Sequence, residues 1–189
     1  MEAAIGIADR QGLAAASMRA IASKLDNSTM SSYYHVRDRS ELLVLMAETA
    51  LAEALPCDET PEGLRVETVA RALWDVYRRH PWLSQIEVDR LSRSSVALTQ
   101  AEWVMRALLR HGLDRTTSVR YSLLLRSFIR GVAGQLQAGA GQEMSHLVPG
   151  ADGAGERIEA DEVFELGLRA LLNGIEQPEV DGYRDRFGE

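Results

Sequence analysis

Apolar residues recur at helical spacing along almost the whole chain, and no stretch alternates apolar and polar positions as a half-buried strand would. That pattern confines the fold to all-α architectures, in which the apolar stripe of each helix is buried against its neighbours. With 189 residues, 46% of them hydrophobic, the chain has enough apolar surface for one or two small domains. About nine helices are predicted.

The first runs to Arg10 with Ala4, Ile5 and Ala8 on one face, and Gly12 stops it. Ser17 is placed to cap a second helix with the stripe Met18, Ile21, Ala22 and Leu25. Asp26 and Asn27, types that tolerate left-handed backbone, break the pattern. Ser28 starts a short third helix reaching His35. Asp38 followed by Glu41 resembles a capping box, and the fourth helix buries Leu42, Leu45, Met46 and Thr49 before ending near Ala54.

Between Pro56 and Gly63 lie two prolines, a glycine and three acidic residues, the composition of a joint. A fifth helix is expected over 64–80, with Val66, Val69, Ala70, Leu73, Val76 and Tyr77 on one face and Pro81 ending it. A sixth spans about 82–91, a seventh 95–111, an eighth 115–138 and a ninth 160–176. The organisation read from this is a helix-turn-helix unit with its linking helix at 1–54, a larger helical domain at 55–177, and a loose tail at 178–189.

Two short helices joined by a tight turn, with a third packed behind, form the DNA-binding helix-turn-helix. The second helix of the pair must enter a major groove about 12 Å wide, so its exposed side needs small polar groups. Ser28, Thr29, Ser31, Tyr34 and His35 supply that side, and Tyr34 and His35 are placed to reach phosphate from the helix end. Arg39 sits at the start of the next helix, where its charge and free N–H groups both attract phosphate. The whole chain carries a net charge of −7, but from Ser17 to Arg39 four basic residues face two acidic ones.

The run Ser17-Met-Arg-Ala-Ile-Ala-Ser-Lys-Leu25, then Tyr33-Tyr-His-Val36 and Arg39-Ser-Glu-Leu-Leu43, resembles the signature of the tetracycline-repressor (TetR) family. That signature reads roughly T-x-R-x-L-A-x-x-L-G-V-S-x-x-x-L-Y-x-H-F/V-x-x-K-x-x-L. The resemblance covers about the first 50 residues. It implies that Ser17 and Arg19 meet DNA at the front of the second helix, that Thr29, Met30 and Ser31 face the groove, and that Tyr33 contacts phosphate. It also implies a homodimer on palindromic double-stranded operator DNA, released by a small molecule. His80-Pro-Trp-Leu83 resembles one branch of the family's ligand-binding domains. The chain departs from the signature at Asp26, Asn27 and Ser32, and it shows no basic arm ahead of the first helix. Weaker DNA binding is expected from these departures. The alternative is a helical ligand-binding or protein-interaction module that kept the fold and lost strong DNA binding.

For the domain behind, Trp74, Tyr77, Trp82, Trp103, Tyr121 and Phe128 are candidates to line a pocket for a hydrophobic or aromatic effector. Arg106, His111 and Gln135 are the candidate polar anchors. The ninth helix is apolar around most of its circumference, which requires it to bury more than one face. Gly131, Gly134, Phe164, Gly167, Leu168, Leu171 and Ile175 are therefore expected at a dimer interface.

Other functions are poorly supplied. The four histidines have no metal-ligand spacing, and no nucleophile–base pair or phosphate loop is present, so neither cofactor, metal nor enzymatic activity is expected. A single cysteine, Cys57, precludes an intrachain disulfide and suits a reducing cytoplasm. No apolar run is long enough for a membrane span, and the first residues do not read as a signal peptide.

Overall fold

The first turn of a helix leaves free amides, and several side chains here are placed to receive them. The computed structural model describes residues 1–24, 36–54, 65–87, 94–136, 144 and 158–176, and seven α-helices lie among them. They are α1 (Glu2–Gln11), α2 (Met18–Lys24), α3 (Arg39–Ala52), α4 (Val66–Arg79), α5 (Ser95–Arg110), α6 (Arg115–Ala133) and α7 (Ala160–Glu176). Short 3-10 turns occupy Leu13–Ala15 and Pro81–Gln85.

The caps at Ser17 and Asp38 match the sequence reading, and Ser94 and Asp114 add two that it did not name. Ser17 Oγ accepts from the Ala20 amide at 3.2 Å, and Ser94 Oγ from Ala97 at 3.3 Å. Asp38 Oδ1 accepts from the Glu41 amide at 2.8 Å, while Glu41 Oε2 accepts from the Arg37 amide at 2.6 Å, a reciprocal bond one residue ahead of the usual capping-box donor. Asp114 caps α6 by accepting from the Thr116 and Thr117 amides and the Thr117 hydroxyl. Those donors, the hydroxyl first, hold its carboxyl below the usual range. Gly12 ends α1 at φ 83°, and Gly112 follows α5 at φ 98°, conformations that a Cβ would strain.

Two expectations change. The predicted sixth helix is a five-residue 3-10 turn begun by Pro81, with the Ser84 hydroxyl donating to the Pro81 carbonyl at 2.6 Å. Thr49 is exposed, its hydroxyl bonded to the Leu45 carbonyl at 2.8 Å; Ala47, Ala50 and Leu51 fill the buried face of α3 in its place. The expected third helix, the joint from Pro56 to Gly63 and the tail at 178–189 lie outside the described residues.

One continuous core joins all seven helices. Met46, Ala47 and Ala50 of α3 lie in it beside Ala4 and Ala8 of α1, Val76 of α4 and Leu108 of α5. The linking helix therefore shares its buried face with the elements on both sides of it. α4, α5 and α6 pack on one another, and α7 lies across α4 and α6. On the surface, Arg71 grips Glu165 with two parallel hydrogen bonds of 2.8 and 3.0 Å and ties α4 to α7.

Candidate functional site

In the described part of the expected helix-turn-helix, α2 is held at its N-terminal end and along its inner side. Ser17 caps the start of α2, Ile21 and Ala22 anchor its inner side, and Arg19 stands exposed on the outer side. Ser28, Thr29, Met30, Ser31, Tyr33, Tyr34 and His35 lie outside the described residues. Arg39 is placed differently from the outward role expected of it. Two of its guanidinium N–H groups donate to the carbonyls of Leu13 and Ala16, both at 3.0 Å. The planar fork spans two acceptors that a lysine could not hold together. It binds the first turn of α3 to the segment that leads into α2.

A second cluster joins this unit to the domain behind it. Asp9 Oδ1, on α1, receives the Trp82 indole N–H at 2.7 Å and lies 2.7 Å from His80 Nδ1. The other ring nitrogen of His80 faces Glu53 Oε1, at the end of α3, at 3.4 Å, and Arg79 pairs with the same carboxylate. Both rings are buried. Trp82, expected in a pocket, is thus the buried tongue of an interdomain clasp. Asp9, Glu53 and His80 were not among the candidate residues. The only signal was the His-Pro-Trp run following a helix, which gives no hint of an acceptor 71 positions away.

The other aromatics divide into two groups. Trp74 donates its indole N–H to Asp161 at 2.7 Å and stacks on Phe164 with ring centres 4.8 Å apart. Phe128 stacks on Phe164 from another side, at 6.1 Å, and the Tyr121 hydroxyl donates to the Gly174 carbonyl at 2.8 Å. These residues form the seam between α4, α6 and α7 and line neither of the hollows described below. Gly167 belongs to the same seam, since a Cβ there would come within 2.2 Å of Phe128 Cζ. The glycine allows close approach, as expected, but to the chain's own phenylalanine.

Phe164, Leu168 and Ile175 likewise face the chain's own core, Leu171 packs against it, and Gly134 lies near Ser84. Burial within one chain removes Phe164, Leu168 and Ile175 from any outer face, while Leu171 is half-buried and Gly134 exposed. Gly131 is exposed, and so are Leu124 on α6 and Leu166 on α7.

Two hollows remain. A cavity of about 20 Å³, the size of a water, is lined by Leu51, Leu73, Tyr77, Ala97, Gln100, Arg126 and Ile129. Burial pushes the Tyr77 hydroxyl above its usual range, with Arg130 and Arg126 opposing the shift. Gln100 donates its side-chain N–H to the Leu51 carbonyl at 2.5 Å, which links α5 to the end of α3. Outside it, between α5 and α6, runs a groove of about 560 Å³ lined in part by Met105, Arg106, Leu109, Arg115, Val119 and Arg126. Of the candidate pocket residues, Tyr77 lines the cavity and Arg106 the groove. Trp103 is half-buried on α5, and His111 and Gln135 are exposed.

Comparison with known proteins adds to this. Residues 62–151 match the family described as tetracyclin repressor-like, C-terminal domain. The HTH-type transcriptional repressor DrrR1 of Streptomyces coeruleorubidus is 35% identical over 136 residues, covering 70% of this chain and 50% of that protein. An HTH-type transcriptional regulator of Saccharopolyspora erythraea is 28% identical over 134 residues, 69% of this chain and 56% of its own length. The chain thus spans about half the length of the curated relatives it matches. Among solved structures, the Streptomyces coelicolor TetR family protein ActR in complex with (S)-DNPA superposes with a TM-score of 0.69 at 27% identity, covering 92% of this chain and 93% of that one.

Fold and these likenesses set the chain beside helix-turn-helix regulators that carry a helical domain behind the DNA-binding unit. The chain is similar to the tetracycline-repressor (TetR) family of transcriptional regulators, its residues 62–151 matching that family's C-terminal domain.

Proposed function

We propose that the protein is a ligand-responsive transcriptional regulator: a homodimer that binds a palindromic operator and is released from it by a small molecule. The observation that carries this reading is the position of α3. Its first residue, Arg39, grips the segment leading into α2, and its Leu51 carbonyl is held by Gln100 at the edge of the cavity. A ligand that displaces Gln100 acts directly on the helix that carries the DNA-binding unit. Release requires only that the ligand prefer the arrangement in which that helix is shifted. The curated relative named a repressor, and the ActR structure named as a ligand complex, support the same reading.

The working division is residues 1–54 for DNA and 55–177 for sensing and pairing, with 178–189 as a tail. DNA contacts are assigned to Arg19 on the exposed side of α2 and to Ser17, Ser28, Thr29, Met30, Ser31, Tyr33, Tyr34 and His35. Two such units would sit about 34–36 Å apart, one DNA turn. Among the described residues no helix is long and apolar enough to cross a membrane, and the cytoplasm is the proposed location.

The test is fluorescence anisotropy on the DNA upstream of the protein's own coding sequence. Arg19→Ala and Tyr33→Ala should each weaken specific binding by about 1–3 kcal/mol, roughly 5- to 150-fold. Unchanged affinity in both would reject these roles. The net charge of −7 favours one rival, a module without strong DNA binding. Titration over salt concentration separates the two, because phosphate contacts give a steep negative slope.

Pairing is assigned to the exposed faces of α6 and α7, centred on Leu124 and Leu166, which are 49% and 65% exposed. Apolar side chains this open on adjacent helices suit a four-helix contact between two copies. The double variant Leu124→Glu/Leu166→Glu is expected to run as a folded monomer in light-scattering chromatography; a dimer of unchanged stability would place the interface elsewhere.

A further inference from the structure

We propose that the effector is an amphipathic organic anion, seated in the α5–α6 groove with its acid group on Arg126. This rests on the sensing function proposed above and names the chemical class that function would use. The groove, at about 560 Å³, falls within the size range of small-molecule sites. Its walls are of two kinds. Met105, Leu109, Val119 and Leu123 give an apolar surface, three of them among the chain's exposed large hydrophobics. Arg106, Arg115 and Arg126 give three positive charges against the single carboxylate of Glu102. Glu102 is taken up by Arg106, 2.7 Å away on the next turn of α5. Two guanidinium groups are left facing one groove in a chain whose net charge is −7.

Arg126 is the more telling of the two. Arg71, Arg78, Arg79 and Arg106 are each paired with a carboxylate, and Arg39 and Arg130 each donate to carbonyls. Arg126 is half-buried, and among the described residues it has no hydrogen bond or ion pair. A guanidinium removed in part from water without a partner is costly, and a carboxylate, sulfonate or phenolate would satisfy it through two parallel hydrogen bonds. The adjoining apolar wall selects an anion with a hydrophobic body over a simple inorganic ion.

The same side chain gives the site a route to α3. Arg126 lines both the groove and the inner cavity, where it is a neighbour of Gln100 and Tyr77. An acid drawing the guanidinium toward the groove changes the surroundings of Gln100, whose bond to Leu51 holds the end of the linking helix.

The experiment uses two probes that share a skeleton and differ in charge: 8-anilinonaphthalene-1-sulfonate and neutral N-phenyl-1-naphthylamine. The full chain is titrated with each and followed by fluorescence. The sulfonate should saturate at one molecule per chain and bind at least about tenfold more tightly than the neutral probe, the size of one good charge-assisted contact. Arg126→Gln should reduce that advantage to less than about twofold, with an unchanged circular dichroism spectrum. Arg115→Gln, at the exposed start of α6, should reduce it in part, and Arg110→Gln, outside the groove, should leave it intact. Equal affinity for the two probes, or an advantage that survives Arg126→Gln, overturns the proposal. Repeating the titration on the DNA complex separates the two readings. Sulfonate binding that depends on Arg126 but leaves DNA bound supports the anion site and overturns release by ligand. Intact DNA binding with no preference between probes overturns the anion site alone.

Discussion

Replacing Phe164 with alanine lowers the free energy of unfolding by about 3–5 kcal/mol, measured by urea denaturation. Phe164 is 1% exposed and has Trp74 on one side, nearly parallel at 6°, and Phe128 on another. Alanine leaves a cavity between two large rings that cannot close over it, since Trp74 is fixed by its bond to Asp161 and Phe128 by its seat over Gly167. The opposite error at the same seam is milder. Gly167→Ala puts a methyl within 2.2 Å of Phe128 Cζ, and overfilling of this kind costs about 1–3 kcal/mol as the ring is displaced. Phe128→Leu in the Gly167→Ala background should recover part of that loss. A cost below about 1 kcal/mol for Phe164→Ala would mean that the seam does not hold α7 in place.

Asp9→Ala has the second largest effect, about 2–4 kcal/mol. One carboxylate oxygen serves both Trp82 and His80, and removing it leaves two buried ring nitrogens without their acceptor, at about 1–3 kcal/mol for each unsatisfied group. Asp9→Asn keeps an acceptor oxygen and should cost less than alanine. The effect should also appear in signalling. With the clasp open, the N-terminal unit is less firmly tied to the domain behind, so the ratio of DNA affinities with and without effector should shrink. A destabilised variant that keeps the full ratio would make the clasp purely structural.

Local chemistry is what the sequence displayed well. The bounds of α7, the caps at Ser17 and Asp38 and the stop at Gly12 all follow from residues within one or two turns of the feature, and the structure has them. Partnership across the fold was not legible. Trp74, Trp82 and Tyr77 look alike on a helical projection, yet one meets Asp161, one Asp9 and one a cavity, because each partner comes from a distant part of the chain. Arg39 was read as a group aimed outward because nothing nearby competes for it; its acceptors are carbonyls 23 and 26 positions earlier. The short turn at Pro81–Gln85 kept helical spacing in sequence, but its rings are drawn to Asp9, which a continued α-helix would not align.

The fastening of α1 through Asp9 has a consequence for transplantation. Regulators of this kind are attractive as interchangeable parts, with one head for the promoter and another body for the signal. Here the head, held together internally by Arg39, is fastened to the body by Asp9 on Trp82 and His80, by Glu53 on Arg79 and by the Leu51 carbonyl on Gln100. A foreign head spliced at residue 54 inherits a body that presents a tryptophan and a histidine in need of an acceptor. Only donors that offer a carboxylate at the place of Asp9 will seat on it as the native head does. Screening for compatibility between modules can therefore begin at that position before any chimaera is made.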